Sequence, residues 1–140
     1  MQALSGDQYE RLSRLAETFQ QRHADDFKTA TRRNPHLSVD ALCFQQHGDA
    51  LIGVLITPLA LLLTRITLAG EEGEVENGDR RIVELPSGRY LLSAECLDTE
   101  VMWQCELLDD LSDLGGPMEA SRLAQQVMDR VMTPIDDSTR

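Results

Sequence analysis

The sequence predicts one α+β domain, in which an antiparallel sheet of about five to six short strands is flanked by an N-terminal and a C-terminal helix in two layers. Helical periodicity at both ends of the chain and strand-like patterns over 39–108, joined by short connections, are the observations behind this fold class. A length of 140 residues suits a single domain, 1–140, that ends in a loose tail over 133–140. Hydrophobic residues at 41% and charged residues at 26% are typical of a globular chain.

Both helices are predicted from apolar side chains that recur every three or four residues. A helix over 7–30 places one such face on Tyr9, Leu12, Ala16, Phe19, His23 and Phe27. Ser5 or Asp7 can cap its first turn, since either side-chain oxygen accepts from free amides there. A second stripe predicts a helix over 117–132, and Pro117 suits its first position.

The clearest hairpin joins residues 90–97 and 101–108. A two-residue turn at Asp98 and Thr99 makes one face wholly apolar, because it pairs Ala94 with Trp103, Leu92 with Cys105, Cys96 with Val101 and Tyr90 with Leu107. A shift of one residue would mix polar and apolar side chains on both faces. The pattern therefore predicts one register.

An apolar run follows an earlier predicted hairpin, formed by 39–46 and 51–57. Nearly every residue of 51–57 is apolar, which is typical of a central strand, and Pro58 ends it. Residues 59–63 continue the apolar run. They fit a buried turn or strand, and they equally fit part of an apolar groove open to a partner. Periodicity does not decide between these interpretations.

Acidic residues dominate the charge of the chain and one predicted loop. Thirteen basic and 24 acidic side chains give a net charge of −11, which disfavours nucleic acid and anionic membrane as partners. The loop over 70–79 combines glycines with five acidic residues, so we expect it to be exposed and mobile. Its carboxylates could receive a cationic segment, although a solvated loop explains them as well.

The chain lacks the patterns of the common catalytic and metal sites. Its three cysteines form no Cys-x-x-Cys pair, and the predicted register separates Cys96 from Cys105 by roughly 13 Å. We therefore expect reduced thiols in a cytoplasmic protein, with no bound metal or cofactor. The N-terminus has no signal-peptide pattern, and His23 lies on a helix core stripe. The alternative is a small enzyme or ligand-binding domain with a pocket near Cys105 and Ser87.

Several segments in order resemble one protein family over roughly the last two thirds of the chain. The segments are Gly53-Val54-Leu55-Ile56-Thr57-Pro58, Leu85-Pro86-Ser87-Gly88-Arg89-Tyr90 and Cys105-Glu106-Leu107, followed by a helix rich in alanine and leucine. This pattern is similar to the nickel–iron (NiFe) hydrogenase assembly chaperones of the HybE and HupJ type. The chain departs from it at Leu59, where the family typically has tryptophan, and at Asp109-Asp110, where Ser-Pro is frequent.

The resemblance implies a cytoplasmic, non-enzymatic maturation chaperone. Its partner would be the precursor of a small or large hydrogenase subunit before export, and for some members the twin-arginine signal peptide of the small subunit. Other hydrogenase maturation proteins are further candidate partners, whereas nucleic acid and stable membrane insertion are not expected. The candidate partner-binding residues are Thr57, Pro58, Leu59, Leu62, Leu63, Glu71, Glu72, Glu74, Glu76, Pro86, Ser87 and Gly88.

Overall fold

A computed structural model describes residues 4–68, 73–97 and 100–134 of the chain. Their elements are α1 (Gly6–Arg22), α2 (Ala24–Thr29), β1 (Asp40–His47), β2 (Ala50–Ile56), β3 (Leu61–Thr67), β4 (Arg80–Leu85), β5 (Gly88–Leu97), β6 (Glu100–Leu108) and α3 (Pro117–Val131). The strands form one antiparallel sheet in the order β1-β2-β3-β6-β5-β4. The α+β class, and the sheet between an N-terminal and a C-terminal helix, are confirmed.

The predicted helix over 7–30 is divided into α1 and α2 at His23. Ser5 caps α1, since its side chain accepts from the backbone of Gln8 while the side chain of Gln8 accepts from the backbone of Ser5. At the break, the ring of His23 lies 4.3 Å from that of Phe19, and its Nε2 lies 2.7 Å from a carboxylate oxygen of Glu95 on β5. The break between α1 and α2 therefore places the imidazole ring of His23 against β5.

The two helical layers lie on opposite faces of the sheet, so the structure has three layers and not the predicted two. Leu51 and Leu55 of β2 belong to the cluster that contains the buried face of α1. The intervening Ile52 and Val54 belong to the cluster that contains the buried face of α3. Because every residue of β2 is buried, both faces need a cover, and the sheet is the middle of three layers.

The predicted hairpin register is confirmed where the β5–β6 ladder is formed. Ala94 pairs with Trp103, and Cys96 pairs with Val101. The earlier hairpin is also present as β1 and β2, with β2 inside the sheet. All of these pairings connect near neighbours in the sequence, so local alternation and a short turn were sufficient to predict them.

A bulge in β1 brings an aromatic ring over a glycine. The register shifts between Leu42 and Gln45, and Cys43 adopts a positive φ of 58°. A Cβ atom at Gly53 on the neighbouring strand would lie 2.3 Å from Cγ and 2.8 Å from Cα of Phe44. Gly53 is therefore required for Phe44 to enter the core beneath α1.

The strand directions define two ends of the sheet. The β2–β3 turn with Pro58 and the β4–β5 turn with Pro86 lie at one end, here called the proline end. The β1–β2 turn and the loop over 73–79 lie at the other, here called the acidic-loop end. The two ends are separated by the length of the strands, about 23 Å for seven residues at about 3.3 Å each.

We expect Gly53→Ala to lower the free energy of unfolding by about 1–3 kcal/mol, because the new methyl group overlaps the backbone and ring of Phe44. Denaturant melts would measure the change. Gly6→Ala is the matched control, because the space around Gly6 is open and the substitution should be neutral or slightly stabilising. Equal stability of both variants would contradict the close approach of Phe44.

We expect Trp103→Ala to cost about 3–5 kcal/mol, because it removes a large side chain that is only 2% exposed from the core under α3. The guanidinium of Arg81 lies 4.3 Å from the centre of the ring and loses that contact as well. A loss below about 1 kcal/mol in denaturant melts would mean that Trp103 is exposed in solution.

Candidate functional site

The segment around Pro58 forms a tight turn that leads directly into β3. The hydroxyl of the buried Thr57 accepts from the amides of Leu59 and Ala60, at 3.1 and 2.9 Å. Beyond the turn, Leu62 and Leu63 are buried on opposite faces of the sheet. The open apolar groove that was one interpretation of 59–63 is not formed. Residues 59–63 instead form a buried turn and strand, and Leu59 is the only one of these five that is half-buried.

A buried asparagine between α2 and β1 holds the proline end together. The side-chain amide of Asn34 donates to the carbonyls of Leu111 and Leu114, at 2.8 and 2.9 Å. The side-chain oxygen of Asn34 accepts from the backbone amide of His36. The backbone amide of Asn34 donates to the carbonyl of Pro58 at 2.8 Å. These bonds connect three distant segments, so no local pattern could have revealed them.

The turn with Pro86 forms one wall of a surface groove, here called the α3 groove. The amide of Ser87 donates to the carbonyl of Val131 at the end of α3, at 3.1 Å, and its hydroxyl lies 2.6 Å from that of Tyr90. Pro86 and Ser87 are half-buried and Gly88 is exposed. The groove is open, with a volume of about 820 Å³, and it is lined by Ser87, Tyr90, Gln126, Asp129, Arg130, Thr133 and Pro134.

The thiol proposed for the alternative pocket lies elsewhere. Cys105 is half-buried and packs against the core under α3, and it is not among the residues that line the α3 groove. Burial raises the pKa of the Cys105 thiol, which disfavours the nucleophilic thiolate. Within the described residues, no group of three or more His, Cys, Asp or Glu side chains could hold a metal ion.

The described half of the acidic loop is exposed but attached to the sheet. Gly78 donates to the carbonyl of Ala94 at 2.9 Å, and the side chain of Asn77 accepts from the amide of Cys96 at 2.6 Å. Glu74 and Glu76 are exposed on this anchored segment, as expected for the loop. Glu71 and Glu72 lie outside the described residues.

The structure thus groups the predicted residues into two sets at opposite ends of the sheet. The proline end presents Leu59 together with Pro86, Ser87 and Gly88, whereas the acidic-loop end presents Glu74 and Glu76. Thr57, Leu62 and Leu63 belong to the buried framework between them. A ligand that contacts both sets on one chain must be extended, because the ends are about 23 Å apart.

Both the fold and the sequence of the chain are similar to those of one known protein family. The solution structure of HybE from Escherichia coli matches with a TM-score of 0.66 and 18% sequence identity, covering 86% of this chain and 76% of that chain, so the fold is shared. The family described as NiFe-hydrogenase assembly chaperone HybE matches residues 10–139. The chain belongs to this family.

No curated protein sequence matches the chain significantly. Within residues 4–68, 73–97 and 100–134, no helix is long and apolar enough to cross a membrane.

We expect the alkylation rate of Cys105 to rise with pH along a curve that is displaced to higher pH than that of a free reference thiol. Only the thiolate reacts, and burial raises the pKa of this group, so less thiolate is present at neutral pH. Peptide mapping after iodoacetamide treatment would measure the rate, with Cys105→Ser identifying the peptide. A curve displaced to lower pH would indicate an activated nucleophile and favour the enzyme alternative.

Proposed function

We propose that this family member binds the precursor of a hydrogenase small subunit, including its twin-arginine signal segment, before export. Binding before export implies a cytoplasmic location, and capture of a precursor requires no catalytic turnover. The observation that carries the proposal is the place of the segment from Leu85 to Tyr90. This segment is one of several in which the chain resembles the family, and two of its residues, Ser87 and Tyr90, line the α3 groove.

The α3 groove suits a peptide segment better than a small molecule. The hydroxyls of Ser87 and Tyr90 hydrogen-bond to each other and that of Thr133 donates to the carbonyl of Asp129, so these groups can still accept from a ligand. Asp129 and Arg130 supply both signs of charge. Pockets for small molecules usually enclose most of the ligand surface, whereas this groove is open to solvent. A backbone with alternating donors and acceptors could bind there without a dedicated side-chain pocket.

Charge supplies the second part of the proposal. A net charge of −11 attracts a cationic segment over a distance, and Glu74 and Glu76 present exposed carboxylates on an anchored loop. Carboxylates bind guanidinium groups through paired hydrogen bonds, so this end is the proposed contact of the twin arginines. The apolar part of the segment would then contact the proline end near Leu59 and Pro86. Glu71 and Glu72 are included in the proposed acidic contact.

We expect the precursor to bind more tightly than the same subunit without its signal segment, as measured by titration calorimetry. A signal peptide with both arginines changed to glutamine should bind less tightly than the unchanged peptide, because the charge-assisted hydrogen bonds are lost. Exposed ion pairs contribute about 0.2–1 kcal/mol each and are screened by salt, so this difference should shrink at high ionic strength.

The acidic contact can be tested with a charge-matched pair of variants. Glu74→Gln with Glu76→Gln should slow association with the precursor, since removed surface charges act mainly on the association rate. Glu10→Gln with Glu17→Gln removes the same charge from exposed positions of α1 and is the control. Equal affinity for precursor and truncated subunit would contradict recognition of the signal segment. Equal effects of both variant pairs would contradict a specific acidic contact.

A further inference from the structure

On the sheet face that carries α1, the part formed by β4 and the start of β5 is exposed and contains paired apolar side chains. Leu92 and Ala94 of β5 point into the core under α3. Leu91 directly precedes Leu92, so its side chain points to the opposite face of the sheet. Ile82 of β4 pairs directly with Leu91 and shares that face. Ile82 is 61% exposed and Leu91 is 53% exposed, which is unusual for paired strand residues of this size.

The outer edge of β4 directs backbone hydrogen-bonding groups away from the sheet. Ala94 of β5 exchanges hydrogen bonds with the chain on the β4 side, through Gly78 at 2.9 Å and Asp79 at 2.8 Å. Because the bonding direction alternates along a strand, Leu92 bonds to the same side, and its partner Arg81 bonds back to β5. The alternate residues of β4 therefore direct their amides and carbonyls outward, and these are Arg80, Ile82 and Glu84.

The side chains of these outward-bonding residues are complementary to a second copy of themselves. If two β4 strands pair antiparallel about a twofold axis at Ile82, each Ile82 faces Ile82 of the second copy. Arg80 then faces Glu84 of the second copy, and this pair occurs twice by symmetry. Glu84 already lies 3.1 Å from Arg89 of its own chain, so its carboxylate would be placed between two guanidinium groups.

We propose that β4 is a self-pairing edge through which two copies of this chain form an antiparallel dimer with a continuous sheet. The apolar side chains Leu91 and Ile82 of both copies would form one row across the interface, bordered by the Arg80–Glu84 pairs. Charged side chains on an edge strand usually prevent it from pairing with another strand. Charges of a single sign at positions 80 and 84 would prevent the pairing of two β4 strands. Opposite charges spaced four residues apart instead favour this one register.

The proposed dimer is a weak one that requires moderate salt. Each chain carries a net charge of −11, so two chains repel at low ionic strength. At physiological ionic strength the screening length is about 8 Å, which suppresses this repulsion while leaving contacts across the interface largely intact. The proposal concerns purified protein alone and does not depend on the proposed function.

Sedimentation equilibrium over a range of protein concentrations tests the dimer. The wild-type chain should dimerise as its concentration rises. Arg80→Glu and Glu84→Arg should each weaken dimerisation by about tenfold or more, because each variant places like charges opposite one another at two symmetric positions. Arg14→Glu and Glu17→Arg, on the exposed face of α1, change the net charge equally and should leave dimerisation unchanged.

A mixture of the two β4 variants tests the register. Arg80→Glu presents two acidic positions and Glu84→Arg presents two basic ones, so an equimolar mixture should form a heterodimer although each variant alone dimerises only weakly. Restoration by mixing would distinguish this edge from any other interface. A wild-type chain that is monomeric at every concentration would overturn the proposal. So would dimerisation that is unaffected by both variants, or variants that mixing does not rescue.

A covalent readout remains decisive if a charge variant folds poorly. Facing residues of a hydrogen-bonded antiparallel pair have Cα atoms about 5.5 Å apart, which is within disulfide range. Ile82→Cys in a Cys43→Ser background should therefore form an intermolecular disulfide on mild oxidation. Arg14→Cys in the same background should not. Equal cross-linking of both variants would contradict pairing at Ile82.

Discussion

Burial of β2 on both faces is the constraint on which the rest of the structure depends. All seven of its residues are buried, so the strand cannot lie at an edge and cannot be covered by one layer alone. The chain satisfies this demand by placing α1 on one face and α3 on the other. Because α3 packs on the face opposite α1, its last turn reaches Ser87 and hydrogen-bonds to it. The α3 groove forms as a result of this packing.

The β1 bulge and Gly53 serve the same constraint. The bulge turns Phe44 toward the core under α1, and Gly53 leaves the space that the ring occupies. Phe44 therefore covers the part of β2 where the glycine supplies no side chain. At the other end of the strand, Asn34 binds the carbonyl of Pro58 and joins the β2–β3 turn to the connector before α3. Both devices hold β2 between its two covers.

The sequence was sufficient for the features that depend on near neighbours. The register that pairs Ala94 with Trp103 follows from alternation on two strands joined by a short turn, and the structure has that register. The side of the sheet on which each helix packs could not be read from helical periodicity. A helical stripe shows which face of a helix is buried, but not which face of the sheet buries it. The unbroken apolar run in β2 was the available sign of two covers.

The candidate site was harder to predict, because its residues come together only through long-range contacts. The acidic loop and the Pro86 turn occupy opposite ends of β4, so a single chain cannot present them side by side. The long-range hydrogen bonds of Asn34 and Ser87 that shape the proline end span from 24 to 80 positions of sequence. The leucines of β3 are buried in the sheet, although in the sequence they also fitted a binding segment. A core strand and an apolar binding surface have the same composition, so the sequence does not distinguish them.

Antiparallel pairing of two β4 edges would bring the Pro86 turn of one chain close to the acidic loop of the other. In the register centred on Ile82, residue 79 of one copy faces residue 85 of the other, because facing positions are equally distant from the axis. The Pro86 turn of each chain would then lie beside the anchored acidic segment of the second chain. A client segment could contact a groove from one copy and carboxylates from the other without extending over about 23 Å. The separation of the two residue sets within a chain, which weakens a monomeric site, would thus favour a site completed by the second copy.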